Sequence, residues 1–346
     1  MPAMSIERRE TSLMSTCVRL GSSTARVAGR SSPVRLGSST PAYAGRMALR
    51  APQSSASSPR LHFTKGHGTE NDFVLLFDAR AEITLTPALV RELCDRRAGI
   101  GADGVIRAVP AGLIDAGSGF EPQVWFMDYW NADGSLSEMC GNGARVFAAF
   151  LESEAGLDLS APTVIGTRAG AKTVTALGDG HYAVGMGPWR ILEQDDAADC
   201  IVAARGSVPR PGLSVDVGNP HTVVALASQD ELTGLDLSVA PRVDPPPPEG
   251  SNVEFVVPLG ESDSSGERRG VVRMRVHERG SGETRSCGTG AVAAALAVRA
   301  WAGTTALDVW DVQVPGGVVT VRVRPDHTVL EGPAVLVASG DVEVSG

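Results

Sequence analysis

Two cysteines stand in nearly identical short sequences 147 residues apart in a chain of 346 residues. Cys140 opens Cys-Gly-Asn-Gly and Cys287 opens Cys-Gly-Thr-Gly, and a largely apolar segment with helical character follows each. Each cysteine is therefore predicted at a helix start, where unpaired N–H groups and the helix dipole stabilise an anion. We expect this position to lower the pKa of both thiols and to make each thiolate a usable base.

The glycines beside these cysteines would let backbone amides close on an anion. The amides of Gly141, Asn142, Gly288 and Thr289 are the expected donors to a substrate carboxylate. If the two turns face one cleft, a thiolate and a thiol lie on opposite faces of a bound carbon. That arrangement favours stereoinversion, in which one group removes a proton and the other returns one.

Other cysteine chemistries fit the pattern less well. A disulfide oxidoreductase usually has Cys-x-x-Cys, and a cysteine protease leaves the second cysteine turn unexplained. A pyridoxal phosphate enzyme needs a Schiff-base lysine, and the two lysines, Lys65 and Lys172, lack a convincing site. We expect no cofactor, and the spacing of the histidines predicts no metal site. A non-catalytic binding or redox-sensing protein that uses the cysteine pair as an oxidisable switch stays open.

The segments around the two cysteine turns repeat one plan. A strand, near 123–130 and again at 271–277, precedes each turn, and a buried helix follows at 144–157 and 291–302, with hairpins after each. Thr86-Pro87 predicts a further helix start, and 261–269 is expected to be an exposed loop. The pattern indicates an internal duplication.

Composition limits the classes of partner and compartment. The formal net charge of −9 and the lack of a visible basic face argue against nucleic acid, and no run of eighteen apolar residues predicts a membrane span. Five cysteines without Cys-x-x-Cys spacing favour the reducing cytoplasm. Residues 1–60 carry nine Arg, no Lys and two acids among many Ser, Gly and Pro, which predicts a disordered Arg/Ser-rich extension.

Several motifs together resemble the diaminopimelate epimerase family over nearly all of residues 61–346. The motifs, in family order, are KGHGTENDF, GIGADG, NADGS with MCGNGAR, GNPH, SNVEF, ERGSGET with SCGTGA, and VPGG. The resemblance implies a cofactor-independent isomerase that interconverts LL- and meso-2,6-diaminopimelate in the synthesis of lysine and peptidoglycan precursors. A related isomerase, similar to proline racemase or to a phenazine-pathway isomerase, stays an alternative.

The resemblance also implies a fold and an assembly. The expected class is α/β (α+β), with two pseudo-symmetric domains, each a mostly antiparallel sheet wrapped around a central helix. The first domain would comprise residues 61–187 with 334–346 returning to it, and the second residues 188–333. A homodimer is expected by resemblance.

Carried onto matching positions, the resemblance assigns roles to particular residues. Cys140 and Cys287 resemble the acid and base pair, and Gly141, Asn142, Gly288 and Thr289 match the loops that bind the reacting carboxylate. Further substrate contacts would come from Asn71, Asn131, Asn219, Asn252, Glu278 and Arg279. His221 and again Glu278 resemble residues that tune the pKa values of the thiols. Gly104 departs from a frequent Gln, and Glu70 adds a charge near the pocket mouth.

Overall fold

The structure, a computed structural model, describes residues 60–192, 198–264 and 266–345. The predicted disordered extension 1–60 therefore lies, except for Arg60, outside the described residues.

The first half of the described chain contains two α-helices and seven strands. They are β1 (Arg60–Gly68), β2 (Asn71–Phe77), α1 (Pro87–Cys94), β3 (Gly104–Pro110), β4 (Trp125–Asn131), α2 (Gly141–Ala155), β5 (Thr163–Thr167), β6 (Gly170–Gly178) and β7 (His181–Gly187).

The second half is richer in strands and ends with a strand that returns to the first. Its elements are β8 (Arg190–Ile191), β9 (Cys200–Ala203), β10 (Arg210–Asp216), β11 (Pro220–Ala225), α3 (Gln229–Gly234), β12 (Arg242–Asp244), β13 (Asn252–Ser264), β14 (Glu267–Glu278), β15 (Gly282–Thr284), α4 (Gly288–Ala302), β16 (Val309–Val314), β17 (Gly317–Val323), β18 (Thr328–Pro333) and β19 (Val335–Glu343).

The two halves share one strand order with the same directions of pairing. From β1 to β7 the consecutive pairs are antiparallel, parallel, antiparallel, parallel, antiparallel and antiparallel. The series β10, β11, β13, β14, β16, β17 and β18 repeats that sequence of directions. The predicted mixed α/β class with two pseudo-symmetric halves is confirmed.

The halves are joined through two pairings that cross between them. β18 pairs with β17 on one side and with β7 on the other, so the sheet is continuous from one half to the other. β19 pairs antiparallel with β1, which places the C-terminal strand in the first half. The division into separate domains at residues 187 and 333 stays a prediction.

Helices α2 and α4 lie at the centres of the two halves, and each has 15 residues. Ala291–Val298 of α4 are all buried, because the helix is apolar on every side and packs against β10, β11, β13, β14, β16 and β17. Both helices begin at the first glycine after the cysteine, three residues earlier than predicted, because the Gly-rich turn is itself helical.

Two further predictions have opposite outcomes. Thr86 caps α1 as expected, and its Oγ1 accepts the Leu89 N–H at 3.2 Å. The prediction of an exposed loop at 261–269 is wrong, because β13 and β14 continue as a hairpin to the pair Ser264 and Glu267. Opposite charges face each other there at Asp263 and Arg268, and such cross-strand pairs stabilise an exposed hairpin.

Candidate active site

The N-termini of α2 and α4 meet at the centre of the molecule. A Cβ placed on Gly288 would lie 3.2 Å from the Gly141 Cα and 3.2 Å from the Asn142 nitrogen. The same Cβ would lie 3.0 Å from a methyl group of Leu330 on β18, which also approaches Gly141. Only glycine lets the two helix ends approach this closely, so the pair of Gly-rich turns is required by packing.

Both cysteine side chains cap their helices with the same geometry. The Cys140 Sγ accepts the Gly143 N–H at 3.3 Å, and the Cys287 Sγ accepts the Gly290 N–H at 3.4 Å. Each cysteine has an extended backbone, which is usual for an N-cap residue. The two thiols are thus held at the positive ends of two helices that face one another.

The expectation that the helix start lowers the thiol pKa values is wrong in its net direction. Burial raises the pKa of Cys140 to about 11, although the N–H groups of Gly143 and Asn142 act in the opposite sense. Burial, together with the carboxylates of Glu278 and Glu254, raises the pKa of Cys287 well above its ordinary value. The helix ends do favour the thiolates, but the loss of solvation outweighs them.

The two helix ends open into a cleft of about 740 Å³ between the halves. The structure brings together at this cleft every predicted catalytic and substrate-binding residue: Asn71, Asn131, Cys140, Gly141, Asn142, Asn219, Asn252, Glu278, Arg279, Cys287, Gly288 and Thr289. His221 lies behind the wall of the cleft and is fully buried. The roles of these residues stay a prediction.

A polar network joins the halves beside the thiols. The Asn142 amide donates to the backbone oxygen and to the Oγ of Ser286, both at 3.1 Å, and to the Asn71 Oδ1 at 3.3 Å. The Cys140 thiol lies 3.5 Å from the same Asn71 oxygen, and Thr69 is 2.6 Å from Ser286. These bonds fix the side chain of Asn142 in the floor of the cleft.

Arg145 extends this network from beneath and was not predicted as a site residue. Its guanidinium is fully buried and donates to the Asn142 Oδ1 at 3.0 Å, to Thr69 at 3.3 Å and to the Pro333 oxygen at 3.3 Å. Burial lowers its pKa to about 10. An arginine within an otherwise apolar helical segment was the available signal.

The carboxylate of Glu278 and the guanidinium of Arg279 belong to residues that line the cleft. Glu278 ends β14, where Thr284 donates to it, and burial raises its pKa. The Arg279 side chain donates to the backbone oxygen of Glu249 at 2.8 Å, and its backbone N–H donates to the Asn252 Oδ1 at 2.9 Å. A carboxylate and a guanidinium that line one cleft suit an ammonium and a carboxylate of one amino-acid group.

A buried pair behind the wall of the cleft contains a residue that sequence reasoning missed. The His221 Nδ1 lies 2.7 Å from the Glu254 Oε1, and both side chains are fully buried. The other ring nitrogen lies 3.0 Å from the Asn219 Oδ1, at the wall of the cleft. The available signal for Glu254 was an acid inside the apolar run of β13.

The two departures from the family pattern have structural counterparts. A Cβ on Gly104 would lie 2.6 Å from the Tyr129 ring and 2.5 Å from the Trp130 oxygen, so no side chain fits there. Tyr129 itself lines the cleft instead. Glu70 pairs with Arg285 of the other half at the mouth of the cleft, and its φ is +62°.

In the ranges that the structure describes, no group of three or more His, Cys, Asp and Glu side chains could hold a metal ion. No helix in the same ranges is long and apolar enough to cross a membrane.

Comparisons with known proteins give close relatives. The family model for diaminopimelate epimerase matches residues 63–192 and 213–337. The diaminopimelate epimerase of Thermobifida fusca is 47% identical over 291 residues, which cover 82% of this chain and 99% of the relative. That of Rhodococcus erythropolis is 46% identical over 301 residues, covering 82% and 96%.

Solved structures resemble the fold at much lower identity. A hydroxyproline epimerase from Agrobacterium vitis has a TM-score of 0.56 at 14% identity, covering 82% of this chain and 92% of that chain. A phenazine biosynthesis protein of the PhzF family from Bacillus anthracis has a TM-score of 0.57 at 15% identity, covering 83% and 100%. These two likenesses concern the fold alone. The family match and the relatives above 40% identity show the family as well: the chain belongs to the diaminopimelate epimerase family.

Proposed function

We propose that this protein is a cofactor-independent epimerase that interconverts LL- and meso-2,6-diaminopimelate by moving a proton between Cys140 and Cys287. The observation that carries the proposal is the pair of thiols, each capping one of two helices whose N-termini meet at a single cleft. The names of the relatives support the substrate.

In the proposed reaction, one cysteine acts as thiolate and takes the α-proton, so the electron pair of the C–H bond moves toward the α-carboxylate. The thiol on the opposite face then gives its proton to the same carbon and is left as thiolate. Proton count and charge are conserved, and the inverted product leaves the two sulfurs with exchanged protonation states. Either isomer can therefore start the reaction.

The helix ends would stabilise the charge that develops during this transfer. Gly141, Asn142, Gly288 and Thr289 line the cleft, where their backbone amides would bind the α-carboxylate and the dipoles of α2 and α4 would favour the enolate-like transition state. Burial raises the pKa of both thiols, so the site around them is dry. In that dry site the bound substrate would bring its α-carbon next to the thiolate that accepts the proton.

The distal amino-acid group would set the choice of substrate. Glu278 and Arg279 offer an acceptor to an ammonium and a donor to a carboxylate, and Asn131, Asn219 and Asn252 line the same cleft. A site that pairs both charged groups rejects a simple amino acid, because its own buried polar groups would be left unpaired. The homodimer and the cytoplasmic location stay predictions, and light scattering would test the first.

The test is the epimerisation of LL-2,6-diaminopimelate in deuterated water. It compares the reduced full-length protein with the variants Cys140→Ala, Cys287→Ala and Cys200→Ala. Cys200 is a buried cysteine away from the cleft and serves as the control. We expect meso product that carries deuterium at the inverted carbon, and a loss of about 10²–10⁴-fold or more for the two cleft variants only. Full activity in either cleft variant contradicts the two-thiol reaction, and inversion of proline but not of diaminopimelate would indicate the alternative isomerase.

A further inference from the structure

The internal symmetry allows the surroundings of the two thiols to be compared position by position. In the parallel pair β2–β3, Ile106 lies two residues beyond the partner of Phe73. In the equivalent parallel pair β11–β13, Glu254 lies two residues beyond the partner of His221. The buried apolar pair Phe73 and Ile106 of the first half is thus replaced in the second half by the buried polar pair His221 and Glu254.

The second residue of each pair, Ile106 or Glu254, lies directly beneath the first turn of the central helix in its half. A Cβ on Gly143 of α2 would lie 3.1 Å from the Ile106 Cδ1. A Cβ at the equivalent Gly290 of α4 would lie 2.7 Å from the Glu254 Oε1. The first turn of α2 therefore rests on hydrocarbon, and that of α4 rests on a carboxylate.

A charge on the Glu254 side chain has a high cost in free energy, because the side chain is buried away from water. Its side chain is fully buried, and Oε2 has no hydrogen-bond partner among the residues that the structure describes. The titratable groups that face it are His221 on β11, Glu278 on β14 and Cys287 at the start of α4. A buried carboxylate with one orphaned oxygen indicates a functional reason for its retention.

We propose that Glu254 is a positioning residue that makes the two thiols inequivalent, because its carboxylate beneath α4 opposes formation of the Cys287 thiolate. The inference rests on the proposed reaction of the two cysteines. When the pair carries a single negative charge before substrate binds, that charge resides on Cys140, whose helix rests on Ile106, and Cys287 holds its proton. Burial and the carboxylates of Glu278 and Glu254 all raise the pKa of Cys287, which agrees with this assignment.

His221 holds the carboxyl group of Glu254 in its place beneath α4. It holds one oxygen of Glu254 through Nδ1 and faces the Asn219 Oδ1 through Nε2. The buried pair thus holds the Glu254 carboxyl group beneath one thiol and contacts Asn219, a residue of the cleft wall.

The experiment measures the reactivity of each thiol without substrate. The reduced protein, Glu254→Gln and the control Glu261→Gln, which removes an exposed acid from the same strand, are treated briefly with iodoacetamide over a range of pH. Peptide mass spectrometry then gives the alkylation rate at Cys140 and at Cys287. In Glu254→Gln we expect the ratio of Cys287 to Cys140 alkylation to rise about 10-fold near neutral pH, which corresponds to about one pKa unit.

An unchanged ratio in folded Glu254→Gln would overturn the inference, as would an equal rise in Glu261→Gln. If Glu254→Gln does not fold, the double variant His221→Phe with Glu254→Ile gives the second half the apolar pair of the first half, and the same change in ratio is expected. Because alkylation requires no turnover, a protein that fails to epimerise diaminopimelate still reports whether its thiols differ. Failure of the proposed function and failure of this inference are therefore distinguishable.

Discussion

Replacing Gly143 and Gly290 by alanine, one at a time, adds the same methyl group to the two copies of the cysteine turn. At Gly143 the new Cβ would lie 2.9 Å from the Met127 Cε and 3.1 Å from the Ile106 Cδ1, which are the ends of flexible side chains. At Gly290 it would lie 2.7 Å from an oxygen of Glu254 that is itself held at 2.7 Å by His221.

The two substitutions should differ in their effect on the free energy of unfolding. In both, alanine favours the helix over glycine by about 1 kcal/mol. At Gly143 this gain offsets an overpacking penalty near the low end of about 1–3 kcal/mol, because methyl groups can move aside. At Gly290 the carboxylate must move, which adds the loss of a charge-assisted hydrogen bond of about 1.5–3 kcal/mol. We expect a net loss of about 2–5 kcal/mol for Gly290→Ala and of less than about 1 kcal/mol for Gly143→Ala.

The assay is urea unfolding of the reduced protein at neutral pH, followed by tryptophan fluorescence and by circular dichroism. Gly143→Ala should unfold close to the parent, and Gly290→Ala at a clearly lower urea concentration. Equal midpoints for the two variants would refute the reasoning, because they would mean that Glu254 can leave its place beneath α4 as easily as a methionine methyl can.

Two further predictions concern charges at the edge of the cleft. Burial raises the pKa of Asp72, but Arg96 and Lys65 lower it more strongly, to about 2 against an ordinary 3.8. The interactions of ionised Asp72 with Arg96 and Lys65 therefore contribute about 2 kcal/mol to the free energy of unfolding, which is present above about pH 4 and lost as the pH falls toward about 2. Thermal unfolding should show Asp72→Asn less stable than the parent at pH 7 and equal to it near the acid limit. A difference in stability that does not change with pH would contradict this prediction. Glu70→Gly relieves a positive φ worth about 1 kcal/mol and loses an exposed pair with Arg285 worth about 0.2–1 kcal/mol, so its melting temperature should hardly change. A fall equivalent to more than about 2 kcal/mol would show that this pair holds the halves together.

The cysteine turns were predictable because their signal is local. An N-cap cysteine, two glycines and an apolar helix follow one another along the chain, and their repetition located both Cys140 and Cys287. Local chemistry also predicted the cap at Thr86. The duplication then implied the repeated strand order, since the same local plan folds in the same way twice.

The rest depended on contacts between distant segments. The direction of the thiol pKa values follows from burial, which the spacing of residues along one helix does not reveal. Glu254 stands in an apolar run, but its use became visible only when the parallel register of β11 and β13 placed it diagonal to His221. The hairpin at 261–269 was missed because its charged residues are typical of a loop until the opposite strand supplies their partners.

The pairing of β1 with β19 affects how the chain folds while it is being made. The ribosome releases β1 before the whole second half, and it releases β19 only after that half. Until then one edge of the first-half sheet has unpaired N–H and C=O groups, and such an edge can pair with a neighbouring nascent chain. The first half therefore stays exposed to edge-to-edge aggregation throughout translation, and a product truncated before β19 keeps that exposure permanently.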